Sequence, residues 1–294
     1  MIDRLRSSSA GAPWGHCLFS LIAAIGLLAV GCTPFRSTVA TPEKVDKEPP
    51  PLTPRQTTLR VSQYVFSADF ELKADQPIFK DLSNLREQVF KELQLPPSNT
   101  LVQVYLFEDR DRYESFMKSK YPDLPQRRAF FVAQPRSVGG ADDLLVYTFW
   151  GDKVQQDLRH ELTHALLHSV LKDVPLWLDE GLAQYFELPA DWKGLNRQHV
   201  ESLRKGAFQP DLARLEQMSQ VQQMSPAEYR ESWAWTHLML QGPPEGKGVL
   251  LAYLQMLRTN PSPGPLGPRL VAAVPELNEA LDLHLARLEK VTPR

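Results

Sequence analysis

The sequence predicts an α+β fold, with a small mixed sheet and its helices first, a mainly helical C-terminal lobe second, and a chemistry-bearing helix between them. Three observations lead there. Runs of β-type alternation all lie before residue 151, helix-period patterns fill almost everything after Gly151, and 43% hydrophobic content in 294 residues is enough for a proper core. The formal charge of -2 and the lack of any block of like charge give no reason to expect nucleic acid or an anionic membrane surface as partner.

Taken in order, the chain opens with Arg4 and Arg6, then the apolar run "CLFSLIAAIGLLAV" (17 to 30), then small residues and Cys32. This is the plan of a secretory signal, too short for a bilayer span of about 20 residues. The junction "LAVGC" (28 to 32) resembles a bacterial lipobox, in which the cysteine is lipidated and becomes the new N-terminus. Ala29 stands where that motif prefers Leu, and ordinary cleavage nearby is the alternative. Residues 1 to 31 are therefore expected to be a signal peptide, Cys32 the lipid anchor, and 32 to 58, rich in Pro and polar residues, a disordered tether. Thr33, in place of Asp, favours the periplasmic side of the outer membrane in a host with two membranes.

The expected domain runs from 59 to 294, β-rich to 150 and helical from 151. Its elements begin with a β-rich run at 58 to 70 and a helix at 78 to 93, where Phe79, Leu82, Leu85, Val89, Phe90 and Leu93 recur at helical spacing. "LVQVYLF" (101 to 107) alternates as a strand, and "RDRYESFMKSK" (110 to 120) reads as a helix stopped by Pro122. "RAFFVAQ" (128 to 134) and "LLVYTFW" (144 to 150), joined by "VGGADD", form an expected hairpin. Helices are expected near 153 to 171, 176 to 187, 195 to 205, 226 to 241, 247 to 258 and 276 to 290, with Pro/Gly-rich "TNPSPGPLGP" separating the last two.

The only cysteines are Cys17 and Cys32, so any metal in the folded region must be held by His and carboxylates. In "DKVQQDLRHELTHALLHSVL" (152 to 171) Asp152 is a plausible N-cap, and Val154, Leu158, Leu162, Ala165 and Leu166 give an apolar face. His160 and His164, four apart, stand one turn above the other and can bind one ion. Glu161 points about 100° around the helix, near enough to a water at the metal to take its proton. Seven His and eighteen Glu give roughly one accidental H-E-x-x-H per hundred such chains, so the motif needs support.

A catalytic zinc site also needs a third protein ligand. The metzincin arrangement is excluded, because Leu167 and Val170 stand at its Gly and His positions. His168 is eight residues from His160, about 12 Å along a helix, too far to share the ion, and reads as a surface or supporting residue. The better source is "PLWLDEGLAQYF" (175 to 186), a second helix whose Glu180 sits beside Gly181, which leaves room for close packing at the metal. Its neighbour Asp179 is an alternative ligand.

These two stretches together resemble the gluzincins, and among them the peptidase-MA-like bacterial proteins with H-E-x-x-H followed by W-L-x-E-G-x-A-x-Y-F. The direct match covers about 27 of the 294 residues. The resemblance implies a zincin-like fold, one Zn2+ bound by His160, His164 and Glu180, and Glu161 as general base. The family pattern places the ligand acid directly before Gly, favouring Glu180 over Asp179. Gluzincins often carry an acid four residues after that ligand to orient a zinc histidine; here it is Gln184, which lacks the charge. Tyr229 and His237 on a downstream aromatic helix are candidates to stabilise the oxyanion, alongside a plain packing role. Trp233 and Trp235 are assigned to packing.

The implied function is zinc-dependent hydrolysis of peptide bonds by metal-activated water in a cell-envelope lipoprotein, with a peptide or protein substrate and contact with the membrane through the lipid alone. The alternatives are a catalytically silent zincin-fold binding or scaffold lipoprotein and a metal-free helical lipoprotein. Oligomeric state is not legible.

Overall fold

The computed structural model describes residues 53–136, 141–206, 208–260 and 262–291. The expected signal, Cys32 and nearly all of the expected tether lie outside the described residues. Among the described residues no helix is long and apolar enough to cross a membrane.

The architecture is α+β, as the patterning predicts: a five-strand mixed sheet, then a mostly helical region. The strands are β1 (Thr57–Val61), β2 (Tyr64–Ala68), β3 (Val102–Phe107), β4 (Ala129–Gln134) and β5 (Asp143–Phe149), in the order β1-β2-β3-β5-β4. The outer pairs, β1 with β2 and β4 with β5, are antiparallel; β2 with β3 and β3 with β5 are parallel. The run expected as one strand at 58 to 70 is a hairpin, because Ser62 adopts a left-handed φ of 54° and turns the chain so that Val61 pairs with Tyr64. No Gly or Asn marks that turn, which is why it was not expected. Pairing also starts at Thr57, opposite Ala68, so the folded region begins slightly before 59.

Alternation along β4 divides the core. Phe131 and Ala133 face a cluster shared with α1 (Pro77–Glu92) and α3 (Val154–His168), while Phe130 and Val132 join Phe107, Tyr113, Phe116 and Tyr147 beneath α2 (Arg110–Lys120). β4 and β5 are thus covered on both faces, which explains why these two strands are nearly continuous in apolar residues, whereas β1 to β3 alternate between more and less buried residues. α2 ends at Lys120 with Tyr121 as its C-cap, just before Pro122, as expected.

The helical lobe contains α4 (Leu176–Phe186), α5 (Arg197–Lys205), α6 (Leu212–Glu216), α7 (Pro226–Gln241), α8 (Pro244–Thr259), α9 (Gly267–Ala273) and α10 (Leu277–Glu289). The short helices α6 and α9 were not expected; α9 starts at the end of the Pro/Gly-rich separator, with Pro268 in its first turn, where a missing N–H costs nothing. In α4 every residue from Trp177 to Phe186 is buried, its polar Asp179, Glu180 and Gln184 included. It packs between α3 and α7. Gly181 permits this: a Cβ there would lie 2.3 Å from Thr236 Oγ1 and 2.5 Å from the Ser232 carbonyl. The room at Gly181 therefore serves α7 and not, as its place beside Glu180 suggests, the metal side. Trp233 and Trp235 are wholly buried, their indole N–H groups donating to Gly194 O (2.8 Å) and Glu231 Oε1 (3.3 Å), consistent with packing.

Candidate metal centre

Helix α3 forms because Leu158, Leu162, Ala165 and Leu166 make one fully buried stripe against the sheet and α1. Its N-cap is Lys153, without a side-chain bond; the expected cap Asp152 instead pairs with Arg128 at 3.3 Å, outside the helix. A short connection leads to α4, which carries Asp179 in its first turn and Glu180 just after it, both against α3.

Arg159 fixes the two helices relative to each other. It is 2% exposed; its Nε donates to Phe186 O (3.0 Å) and its Nη2 to Leu188 O (2.7 Å), satisfying carbonyls at the C-terminal end of α4, while Nη1 grips Asp81 of α1 at 3.0 and 3.1 Å. The residue before the first motif histidine thus carries a tie between three helices.

His160, His164 and Glu180 offer one donor atom each, and the three lie within 4.8 Å of one another. Glu180 Oε2 is 3.4 Å from His160 Nε2 and 3.7 Å from His164 Nε2. A tetrahedral zinc with bonds of about 2.0–2.1 Å keeps its donors roughly 3.4 Å apart. His164 Nε2 and both Glu180 carboxylate oxygens are buried with no hydrogen-bond partner, an arrangement that a cation satisfies and a bare core does not. The group could hold a metal ion.

Carboxylates support both imidazoles from behind. His160 Nδ1 lies 2.8 Å from Glu187 Oε2, and Glu187 Oε1 accepts from Gln156 Nε2 at 2.8 Å. His164 Nδ1 stands 3.0 Å from Asp179 Oδ2, off the hydrogen-bond axis, so this contact is electrostatic rather than a full hydrogen bond; the same oxygen pairs with His168 Nε2 at 3.3 Å. Asp179 is therefore on the far side of the His164 ring from Glu180. His168 supports this carboxylate and is not a ligand; its side chain is 4% exposed, so it is not a surface residue. Phe131 of β4 stacks beside the rings of His164 and His168, at 6.2 and 5.6 Å.

Electrostatics follows the geometry. Burial works against a charged His160, but Glu180 and Glu187 outweigh it and raise its pKa to about 10. Burial likewise opposes charge on Asp179, yet His164 and His168 hold it well below the usual carboxylate range.

Glu161 is 5% exposed and interacts electrostatically with His160, His164 and Glu180, so the structure brings it to the same centre. Tyr229 also reaches this neighbourhood: burial raises its pKa, the charges of Glu180 and Glu161 add to the rise, and Arg127 opposes it. Arg127 Nη2 donates to Tyr229 Oη at 2.9 Å. His237 does not come to the centre; its Nδ1 pairs with His284 Nε2 of α10 at 2.8 Å, because α7 turns that residue toward α10. Gln184 does not orient a metal-side histidine either. Its Nε2 donates to the Tyr229 carbonyl at 2.9 Å and its Oε1 pairs with His199 Nε2 at 2.8 Å. Glu187, three residues on, holds His160 instead; the only signal for it was an acid at the end of a helix already carrying Glu180, two turns away.

Residues 156–261 match the model of a family described as protein of unknown function (DUF1570). The match runs from the start of α3 to the end of α8 and so contains His160, Glu161, His164, Glu180, Glu187 and Tyr229. No curated protein matches the chain.

Proposed function

We propose that the protein is a zinc-dependent hydrolase of peptide bonds held in the cell envelope by a lipid on Cys32. The observation that carries this reading is the meeting of His160, His164 and Glu180 around partnerless donor atoms with the carboxylate of Glu161 at the same centre. Two imidazoles and a carboxylate suit zinc and leave a coordination position open. Bound zinc supplies Lewis acidity, polarising the scissile carbonyl and making water a nucleophile near neutral pH.

The chain's own groups do the rest. Glu161 takes the proton from the attacking water and delivers it to the departing amine. Tyr229, held by Arg127, directs its hydroxyl proton to the developing oxyanion, which removes His237 from that role. β4 is an edge strand beside α3, and an extended peptide pairing with it would lie along the metal helix.

The rival reading keeps the metal without turnover, as a binding or scaffold protein. The test is zinc content and hydrolysis of a mixed peptide library by the full-length chain and by Glu161→Gln. About one zinc per chain in both, with activity falling on the order of 10²- to 10⁴-fold in the variant, is expected. Zinc without any hydrolysis favours the silent protein, activity that survives the replacement removes Glu161 as the base, and a chain that takes up no zinc overturns the reading. Metabolic labelling with a fatty acid, lost in Cys32→Ser, checks the anchor.

A further inference from the structure

Arg127 lies two residues before the edge strand β4 and touches the candidate centre through Tyr229: its Nη2 donates to Tyr229 Oη at 2.9 Å, and its guanidinium rests 5.6 Å from the ring centre. Tyr229 is itself tied to the turn that carries Glu180. Gln184 Nε2 donates to the Tyr229 carbonyl at 2.9 Å and to the Glu180 carbonyl at 3.3 Å. The guanidinium is thus one hydrogen bond from the proposed oxyanion donor and at the start of the strand beside which a substrate would lie.

Holding a phenol explains a donor at this place but not a positive charge, since a neutral amide would serve. Nearby arginines spend their charge on acids. Arg128 pairs with Asp157 at 3.0 Å and Asp152 at 3.3 Å, and Arg159 pairs with Asp81 at 3.0 Å. Arg127 is only partly exposed, forms no ion pair with any described residue, and makes from its side chain the single hydrogen bond to Tyr229. Four of its five N–H groups are therefore left for a ligand, in the planar fork that matches a carboxylate.

Distance limits where such a carboxylate sits. Two hydrogen bonds in series, roughly 6 Å, separate the oxyanion from Arg127 Nη2, which brings an anionic group on the residue next to the scissile bond within reach.

We propose that Arg127 is a specificity-determining residue that selects peptides carrying a carboxylate next to the bond to be cut, supplied either by the free C-terminus or by an acidic side chain. This rests on the reading of the centre as acting on peptides, but it is tested by binding alone.

The experiment is calorimetric binding to the full-length, zinc-loaded chain carrying Glu161→Gln, which prevents turnover. The probes are N-acetyl-tetraalanine as the free acid, the same peptide as the amide, and that amide with one aspartate at each position in turn. At least one carboxylate probe is expected to bind about tenfold tighter than the plain amide, as a charge-assisted hydrogen bond provides. Preference for the free acid names the C-terminus as the source, and preference for an aspartyl amide names the side chain. Arg127→Gln should abolish the preference with zinc still at about one per chain, Arg127→Lys should keep part of it, and Tyr229→Phe should keep it. Equal affinity for all probes, a preference that survives Arg127→Gln because the metal itself takes the carboxylate, or no binding of any probe overturns the assignment. A carboxylate preference in a protein whose unmodified chain hydrolyses no peptide keeps the role of Arg127 and sinks the hydrolase; hydrolysis without the preference does the reverse.

Discussion

Two histidine pairs lie in the helical region, and they keep different company. His160 and His164 stand one turn apart on α3 and face Glu180, with Glu187 and Asp179 behind them. His237 and His284 come from α7 and α10, touch through Nδ1 and Nε2 at 2.8 Å, and have Tyr185 and Trp233 as ring neighbours of His237. Carboxylates raise His160 to about 10; burial lowers His164, with Asp179 and Glu180 opposing it; and burial drives His237 down to about 3 and His284 to about 4, with no carboxylate to oppose it. Residue type is alike and His160 alone is partly exposed; acidic company separates a metal-competent pair from a hydrogen-bonded one.

The comparison breaks most visibly on metal content. His164→Ala is expected to take zinc from about one per chain to none after dialysis, and His237→Ala to leave it unchanged, as read by elemental analysis. Equal loss in both would mean that the α7–α10 pair supports the centre after all.

A smaller effect sharpens the role of the acids. Glu187→Gln keeps the shape but removes the charge behind His160, and zinc affinity measured by chelator competition should fall about 10- to 100-fold. Gln184→Ala, which disturbs contacts with Tyr229 O, His199 and the Glu180 backbone carbonyl but none with a metal-side group, should change that affinity by much less. If Gln184→Ala weakens zinc as much as Glu187→Gln does, the assignment of the supporting acid is wrong.

The smallest effect is on acid stability. An unfolded histidine titrates near 6.5, while His237 and His284 hold no proton in the fold until about 3 and about 4. Between those values the unfolded chain binds more protons, so their contribution is full above about pH 6.5 and is lost as pH falls toward 4 and then 3. His284→Gln should flatten the fall of Tm over that window in the zinc-free chain; an unchanged slope would show that other groups govern it.

Much of the centre was legible because it is local. A four-residue spacing on one helix places His160 over His164 whatever surrounds them, and the short step to α4 limits where Glu180 can go. Glu187 and Arg127 were not legible, since each meets its partner across a long stretch of chain: 27 residues to His160 and 102 to Tyr229. The hairpin at Ser62 escaped for a different reason, a left-handed φ at a residue with no sequence mark for it.

By itself, the sequence determined the helical and strand periods, the α+β order and the pairing of two imidazoles on α3, because backbone geometry converts spacing directly into direction. Only the tertiary structure decided that Asp179 stands behind His164 while Glu180 faces its Nε2, that His237 belongs to α10, and that Gln184 serves His199 and α7. Those choices depend on how α3, α4 and α7 are rotated against one another, and that rotation is set by close packing at Gly181 and by the Arg159 tie, contacts that no run of neighbouring residues encodes.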